Sequence, residues 1–298
     1  YIYIILFNSY KISVFAVPVL NIEDKDMIET TQIQALPSAN LTHPTIVFFN
    51  GRGGTGKTTL ARLHAEWAIQ QETDFRILDL DRTNATFSAF FPEHTDRPPS
   101  ADDNDVMNFL QKAIDEQTAR RHHLIVDFGG GDLILKALAR RVRRVRFFES
   151  YNIRPVMVHH FGADPDYLAF MKYFEDGELL APEATILVLN AHVKPQRLSV
   201  TAAFEQTIEP HEIFCGAISR GAKLVAMPDL PCAHQIDRYR LMFYEAYAGR
   251  DNVSNCRPPA LSPFDRAELG MWLEDLEAQF SKFSDWLPWL PVSGGLLS

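Results

Sequence analysis

A glycine-rich segment between residues 51 and 58 has the residue types and the spacing needed to bind phosphate. It reads Gly51-Arg52-Gly53-Gly54-Thr55-Gly56-Lys57-Thr58 and matches the pattern GxxxxGK[ST]. Glycines let the backbone curl so that successive N–H groups face phosphate oxygens, and the positive end of a following helix adds to the attraction. Lys57 would then reach the terminal phosphates, and the Thr58 hydroxyl would bind Mg²⁺. The alternative is a glycine-rich turn without a ligand.

Two apolar runs that end in aspartate supply candidate partners for this segment. One contains Asp79 and Asp81, and the other, His123-Leu124-Ile125-Val126-Asp127, ends in Asp127. Alternate residues of a strand point the same way, so Asp79 and Asp81 can face one site. The carboxyl ends of parallel strands meet at one edge of a sheet, where ligands bind. Asp127 is therefore a candidate to hold Mg²⁺ through a water, although a buried strand can also end in aspartate without such a role.

Short β-rich runs alternate with longer helical ones from Pro44 onward, which predicts an α/β fold with a mostly parallel central sheet and helices on both faces. Segment 92–104 is predicted as a loop. The predicted strands are Thr45–Asn50, Phe75–Leu80, His123–Phe128, Arg154–His160, Ala184–Asn190 and Lys223–Met227. The predicted helices are Lys57–Gln71, Val106–Arg121, Asp132–Phe148, Pro165–Glu175 and about Gln196–Thr207.

Composition and charge limit the classes of function. The chain has 298 residues, a net charge of −9 and three cysteines without CxxC spacing. An acidic chain argues against wholesale wrapping of nucleic acid, and the cysteines suggest neither a disulfide framework nor a zinc site, so a cytoplasmic location fits best. We expect residues 1–42 to form a loosely ordered tail and 43–298 to form one domain.

The C-terminal segment is predicted to begin a helix at about residue 262, because Ser262-Pro263 is a cap followed by proline. The apolar stripe of this helix would dock on the core of its own domain. Its polar face is acidic, which disfavours binding to an anionic membrane. No membrane association is therefore expected.

The phosphate-binding segment resembles the deviant Walker A motif of the ParA/MinD family of P-loop ATPases. In that motif, K-G-G-x-G-K-[ST], an early lysine reaches the ATP of a partner subunit, and Arg52 stands in its place here. The resemblance implies that Arg52 acts in catalysis with Lys57, that Asp81 orients the attacking water, and that Asp79 lies near the metal with Thr58 and Asp127. Arg52 could instead be a solvated loop residue. The nucleotide phosphates would contact Gly51, Gly53, Gly54, Thr55, Gly56, Lys57, Thr58 and Thr59.

The same resemblance implies a base pocket and a second switch. Asn190 ends a strand whose terminal asparagine binds adenine in the family, and Pro228 lies in a loop that lines the base. The N-K-x-D pattern typical of guanine sites is absent at Asn190, which favours ATP. Residues 128–132, with three consecutive glycines, resemble the segment that senses the γ-phosphate; Asp132 could simply cap the next helix.

The function implied by the resemblance is slow ATP hydrolysis with Mg²⁺ by a homodimer that closes on ATP. Such a switch would serve plasmid or chromosome partitioning, or conjugation-associated stability of the StbB or TraL kind, with a regulatory partner protein. Non-specific DNA is a further candidate partner because basic residues crowd the helix after Asp127, although that helix could simply be solvated. The alternative function is a P-loop kinase or a cofactor-delivery NTPase. The basic residues are Lys136, Arg140, Arg141, Arg143, Arg144 and Arg146.

Overall fold

The computed structural model divides the chain into two compact units, residues 1–38 and residues 39–298. In the first, strands β1 (Ile2–Asn8) and β2 (Lys11–Val17) pair antiparallel. The expectation of a loosely ordered tail at 1–42 stays a prediction, and residues 18–42 lie outside the described part. The structure describes residues 2–8, 11–17, 43–82, 86–129, 133–142, 145–175, 180–193, 199–250 and 261–291.

A seven-stranded, all-parallel sheet forms the second unit, which confirms the predicted α/β class. The strand order is β5-β4-β6-β3-β7-β8-β9. All six predicted strands are present, and a seventh, β5, lies inside the segment predicted as a loop. The strands are β3 (Thr45–Gly51), β4 (Phe75–Asp79), β5 (Thr95–Asp96), β6 (His123–Asp127), β7 (Arg154–Phe161), β8 (Thr185–Asn190) and β9 (Lys223–Met227).

Helices cover both faces of this sheet. All seven residues of β3 are buried, so successive side chains of the strand enter two different cores. Val47 and Phe49 pack with Trp67 and the C-terminal helix, whereas Ile46 and Phe48 belong to a cluster on the opposite face. The main helices are α1 (Lys57–Gln70), α2 (Thr86–Phe90), α3 (Asp103–Arg120), α4 (Leu133–Val142), α5 (Arg146–Ser150), α6 (Leu168–Glu175), α7 (Val200–Ala203), α8 (Glu212–Ser219), α9 (Ala233–Tyr239), α10 (Phe243–Tyr247) and α11 (Pro263–Phe280).

The helix predicted over 132–148 is two helices in the structure, α4 and α5. The prediction was wrong here because a pattern of apolar residues at helical spacing does not show where one helix ends and the next begins. α3 begins three residues before its predicted start, because Asp102 caps it by accepting a hydrogen bond from the Asn104 amide.

The C-terminal helix docks on the core, as its apolar stripe predicts. Ser262 and Asp265 form a reciprocal capping box at the start of α11, with Pro263 in the first turn. Leu269, Trp272, Leu276 and Phe280 of this helix are buried in the cluster that also holds Val47. No described helix is long and apolar enough to span a membrane.

Five of the described histidines are buried, namely His64, His122, His123, His159 and His160, and burial is costly for a charged imidazole. Burial lowers the pKa of His64, His159 and His160 to about 3 and that of His123 to about 4. The neutral rings serve as hydrogen-bond partners: His123 Nδ1 accepts from the Thr45 amide at 2.9 Å, and His64 Nδ1 accepts from the Trp289 indole at 3.1 Å.

These histidines should make the folded state less stable in acid. An unfolded imidazole takes up its proton near pH 6.5, whereas the folded His64 excludes it until about pH 3. The His64 contribution to the free energy of unfolding is therefore complete above pH 6.5 and is lost as the pH falls towards 3. His64→Gln keeps a side-chain acceptor for Trp289 and should make the slope of stability against pH shallower by roughly 1.4 kcal/mol per pH unit between pH 4 and 6.

Urea unfolding at a series of pH values measures this slope. Burial raises the pKa of the Glu66 and Asp127 carboxyls to about 7, and these two groups change the pH dependence of stability in the opposite direction. The measured quantity is therefore the difference in slope between the variant and wild type. His192→Gln, at an exposed position, is the control. Equal slope changes in the two variants would contradict the assignment.

Candidate functional site

The glycine-rich segment forms a tight loop between β3 and α1, and two of its glycines have no room for a side chain. A Cβ on Gly51 would lie 2.5 Å from the His160 carbonyl oxygen, and one on Gly56 would lie 2.6 Å from Asn190 Nδ2. Gly56 also has φ of 82°, in the left-handed region that glycine adopts without strain. The backbone of this loop is therefore fixed by strands β7 and β8.

The carbonyl groups of the loop are held by neighbouring donors. Asn190 Nδ2 donates to the Thr55 carbonyl at 3.0 Å, and His160 Nδ1 lies 3.3 Å from the same oxygen. Thr55 Oγ1 donates to the Arg52 carbonyl at 2.7 Å. Within the described residues, the backbone amides from Gly53 to Gly56 donate to no protein acceptor. The Arg52 and Thr55 carbonyls thus have protein donors, while the amides from Gly53 to Gly56 have no protein acceptor among the described residues, which is the polarity that an anion requires.

Lys57 lies at the first position of α1 with its side chain folded back over the loop. Its Nζ donates to the Arg52 carbonyl at 3.0 Å. Burial lowers the pKa of Lys57, and the nearby charges of Asp127 and Asp81 act in the opposite direction. The Arg52 carbonyl and the two nearby carboxylates offset only part of the hydration that this ammonium group loses, so a phosphate group would be a further favourable partner.

Thr58 and Asp127 are joined directly. Thr58 Oγ1 donates to Asp127 Oδ2 at 2.7 Å, while the other carboxyl oxygen, Oδ1, is buried without a hydrogen-bond partner in the described part of the chain. Burial raises the pKa of Asp127 to about 7, although Thr58 and Lys57 both favour the ionised form. A hydroxyl and a buried carboxylate with an unused oxygen fit Mg²⁺, which accepts a few protein oxygens and completes its shell with water and phosphate.

Asp79 and Asp81 lie at the end of β4, beside the Thr58–Asp127 pair. Asp79 is opposite Asp127 in the register of the sheet and is fully buried. Its two oxygens accept hydrogen bonds from the amides of Asp81, at 3.2 Å, and Ser88, at 3.3 Å. Burial raises the pKa of Asp79, which Arg97 most strongly opposes. The Asp79 carboxylate therefore organises the backbone that follows β4.

The Asp81 side chain points towards the segment that resembles the second switch. A Cβ on Gly129 would lie 3.5 Å from Asp81 Oδ1, so the two strand ends meet closely. The charge of Asp81 is also near enough to Lys57 to raise the pKa of its ammonium group against the effect of burial. Gly130, Gly131 and Asp132 lie outside the described residues. The structure thus brings Asp81, Gly129 and Lys57 to one edge of the sheet.

Asn190 and Pro228 lie on the other side of the phosphate loop. Asn190 is almost completely buried and uses both ends of its amide within the chain, since its Oδ1 accepts from the His192 amide at 2.9 Å. The Pro228 carbonyl accepts from the Trp272 indole at 3.0 Å. Met227 contacts the loop near Gly56. These residues form a wall beside the loop, with Asn190 bound to the loop itself.

Arg52 is exposed on the loop and lies over an aromatic ring of its own chain. Its guanidinium carbon is 5.5 Å from the centre of the Tyr167 ring. Thr59 follows Thr58 in the first turn of α1 and is partly exposed.

The basic helix predicted after Asp127 is only partly free to meet a partner. Lys136 and Arg140 stack on the Tyr173 ring at 5.0 and 5.6 Å, and Arg140 Nε donates to the Tyr173 hydroxyl at 2.6 Å. Arg141 is exposed, while Arg143 and Arg144 lie outside the described residues.

Among the described residues, no group of three histidine, cysteine, aspartate or glutamate side chains is arranged to hold a metal ion.

Sequence patterns missed two residues of this site, His160 and Arg97. His160 ends the predicted strand Arg154–His160, and a polar residue at the carboxyl end of a predicted parallel strand was an available signal. Arg97 lies in a segment predicted as a loop, where no pattern of residues indicated a role.

Comparisons with known proteins found solved structures only. No family model matches, and no curated protein matches. The chain is similar to MinD in the MinC:MinD cell division complex of Aquifex aeolicus, with 11% identity over 76% of this chain and 96% of that one and a TM-score of 0.42. It is also similar to FlhF complexed with GTP and Mg²⁺ (14% identity, 65% and 68% covered, TM-score 0.38).

A third similar structure is HypB from Helicobacter pylori in complex with nickel, with 10% identity over 66% of this chain and 84% of that one and a TM-score of 0.34. The seven-stranded parallel sheet of this chain, with a glycine-rich loop between β3 and α1, is the α/β architecture predicted from the sequence.

Substitution of Gly56 should disrupt the loop, whereas substitution of Gly53 should not. Gly56→Ala places a methyl group against Asn190 at a φ that alanine resists, at a cost of about 1–3 kcal/mol. A Cβ on Gly53 meets no atom within 4 Å. We expect Gly56→Ala to lower the thermal midpoint and to weaken binding of pyrophosphate, measured by calorimetry, and Gly53→Ala to retain both. Equal behaviour of the two variants would show that the loop is not held as described.

Proposed function

We propose that this chain binds and hydrolyses a nucleoside triphosphate with Mg²⁺, and that ATP is the nucleotide. The observation that carries the proposal is the hydrogen bond between Thr58 and Asp127, with Oδ1 of the same carboxylate buried and without a partner in the described part of the chain. It places a hydroxyl and a buried carboxylate beside a loop whose amides from Gly53 to Gly56 donate to no protein acceptor among the described residues. Thr58 and Asp127 would hold the metal, and Asp79 stays a prediction as a further ligand.

The residues of the loop have separate tasks in this proposal. The amides between Gly53 and Thr58 bind the phosphate oxygens, and Lys57 leaves the Arg52 carbonyl to contact the terminal phosphates. Bound Mg²⁺ supplies positive charge that stabilises the leaving phosphate oxygens. Asp81, which faces Gly129, orients the attacking water.

Nucleotide selection would depend on the wall formed by Asn190, Met227 and Pro228. Asn190 can contact the base only if it releases Thr55 or shares its amide group, because its Nδ2 donates to the Thr55 carbonyl and its Oδ1 accepts from the His192 amide. ATP is proposed from the resemblance described above. Comparison of ATP with GTP in one titration decides between them.

Removal of Lys57 should weaken nucleotide binding. Lys57→Ala loses one or more charge-assisted hydrogen bonds to phosphate, each contributing about 1.5–3 kcal/mol, which corresponds to roughly a 10- to 100-fold rise in Kd. Isothermal titration with ATP and Mg²⁺ measures it. Lys112→Ala removes an exposed lysine paired with Glu116 and is the control. An unchanged Kd in Lys57→Ala would refute the assignment of the loop.

We further propose that ATP closes a homodimer in which Arg52 contacts the partner's phosphates. Arg52 lies at the surface of the loop, and its stacking on Tyr167 can be exchanged for a phosphate contact, since arginine binds both aromatic rings and phosphate groups.

The biological role proposed for this switch is plasmid or chromosome partitioning, or conjugation-associated stability of the StbB or TraL kind. A regulatory partner protein and non-specific DNA are the proposed activators, with Arg141 and its neighbours as the candidate DNA contact.

Size-exclusion chromatography with light scattering tests the dimer. Wild type and Asp81→Ala should elute as dimers with ATP, the latter persistently because hydrolysis is blocked, and Arg52→Ala should remain monomeric. Arg238→Ala, which removes an exposed arginine that lies 5.7 Å from the Tyr239 ring, is the matched control. Monomeric elution of all four proteins with ATP would contradict the dimer.

Stimulation of turnover by a small phosphate acceptor, and by neither DNA nor protein, would favour the kinase alternative.

A further inference from the structure

Arg97 lies next to the two aspartates that end β4, although it is distant from them in sequence. It follows β5, whose register pairs Leu78 with Asp96 and so brings the next residue beside Asp79. Contacts with β4 hold the segment around β5 in place. Arg76 on β4 donates two hydrogen bonds to the Asp96 carboxylate at 2.8 and 2.6 Å, and the Ile77 amide donates to the His94 carbonyl at 2.9 Å.

The guanidinium of Arg97 contacts both aspartates in different ways. Its Nε is 3.7 Å from Asp79 Oδ2, and the Asp79 side chain is fully buried, whereas the arginine side chain is 33% exposed. One of its terminal nitrogens donates to the Asp81 carbonyl at 2.6 Å. Arg97 therefore neutralises a buried carboxylate and binds the main chain two residues further along.

These contacts fix the Asp81 backbone on both sides. Its amide donates to Asp79 Oδ1, and its carbonyl accepts from Arg97, so the orientation of the residue is determined from its two ends. The Asp81 carboxylate then faces Gly129 and the charge of Lys57. Loss of Arg97 would remove its contact with the Asp81 carbonyl and leave the Asp79 charge without this partner.

We infer that Arg97 is a positioning residue, which joins the buried Asp79 carboxylate to the main chain of Asp81 and thereby directs the Asp81 carboxylate towards the phosphate loop. The inference rests on the proposed function, in which Asp81 orients the attacking water. Arg97 acts through Asp81 and contacts neither the nucleotide loop nor the Thr58–Asp127 pair in the described structure. Its removal should therefore affect turnover more than binding.

The test compares Arg97→Ala, Arg97→Lys and Arg220→Ala in the full chain. Arg220 is a matched control at the other side of the sheet: its side chain is 29% exposed, it pairs with the buried carboxylate of Glu175, and it donates to a backbone carbonyl, that of Pro182. With saturating ATP and Mg²⁺, we expect Arg97→Ala to lower kcat by roughly 10- to 100-fold with an unchanged Kd. Arg97→Lys should recover part of kcat, because it restores the charge but not both contacts.

Amide hydrogen exchange without nucleotide gives a readout that does not depend on activity. Peptides covering residues 79–82 should exchange faster in Arg97→Ala than in wild type and at the wild-type rate in Arg220→Ala. Wild-type exchange in Arg97→Ala, or an unchanged kcat, would overturn the inference. Equal loss in Arg220→Ala would also overturn it, because the effect would then be one of general stability. Failure of wild type itself to bind nucleotide would instead refute the proposed function, and the exchange result would still decide the role of Arg97.

Discussion

The lack of space for side chains where β3 turns into α1 is the constraint on which the rest of the structure depends. The loop passes so close to the His160 carbonyl and the Asn190 amide that only glycine is accommodated at Gly51 and Gly56. His160 of β7 and Asn190 of β8 both lie within hydrogen-bond distance of the Thr55 carbonyl, so these two strands hold that carbonyl group of the loop on the protein side. The strand neighbours of β3 thus determine the polarity of the loop.

Burial of charge is the second feature that the structure maintains at this edge of the sheet. Lys57, Asp79 and Asp127 are all buried, and desolvation is the main influence on the pKa of each of them. Such groups are costly for a domain that binds nothing, because their mutual contacts replace only part of the lost hydration. The cost is understandable if the charges are completed by a phosphate group and a metal ion.

The middle of α1 is also held by contacts with other elements. Arg62 is buried between the rings of Phe90 and Phe243 and pairs with Asp237, while the Glu66 carboxylate accepts from the amides of Phe243 and Tyr244 and so caps α10. The C-terminal segment completes this packing, since Trp289 is fully buried against His64. A helix fixed in this way holds Lys57 and Thr58 in constant positions relative to the sheet.

The sequence by itself determined the elements with strong local patterns. The glycine pattern at 51–58, the apolar runs that end at Asp79, Asp127 and Asn190, and the cap at Ser262 each predicted an element that the structure contains, because backbone conformation and the spacing of apolar residues are encoded locally. The tertiary structure alone decided which side chains meet. Asn190 is bound to the loop, Arg140 to Tyr173, and Arg97 to Asp79, and each of these pairs joins residues at least 18 positions apart. Such contacts depend on strand order and on packing between elements, neither of which leaves a periodic signal in the chain.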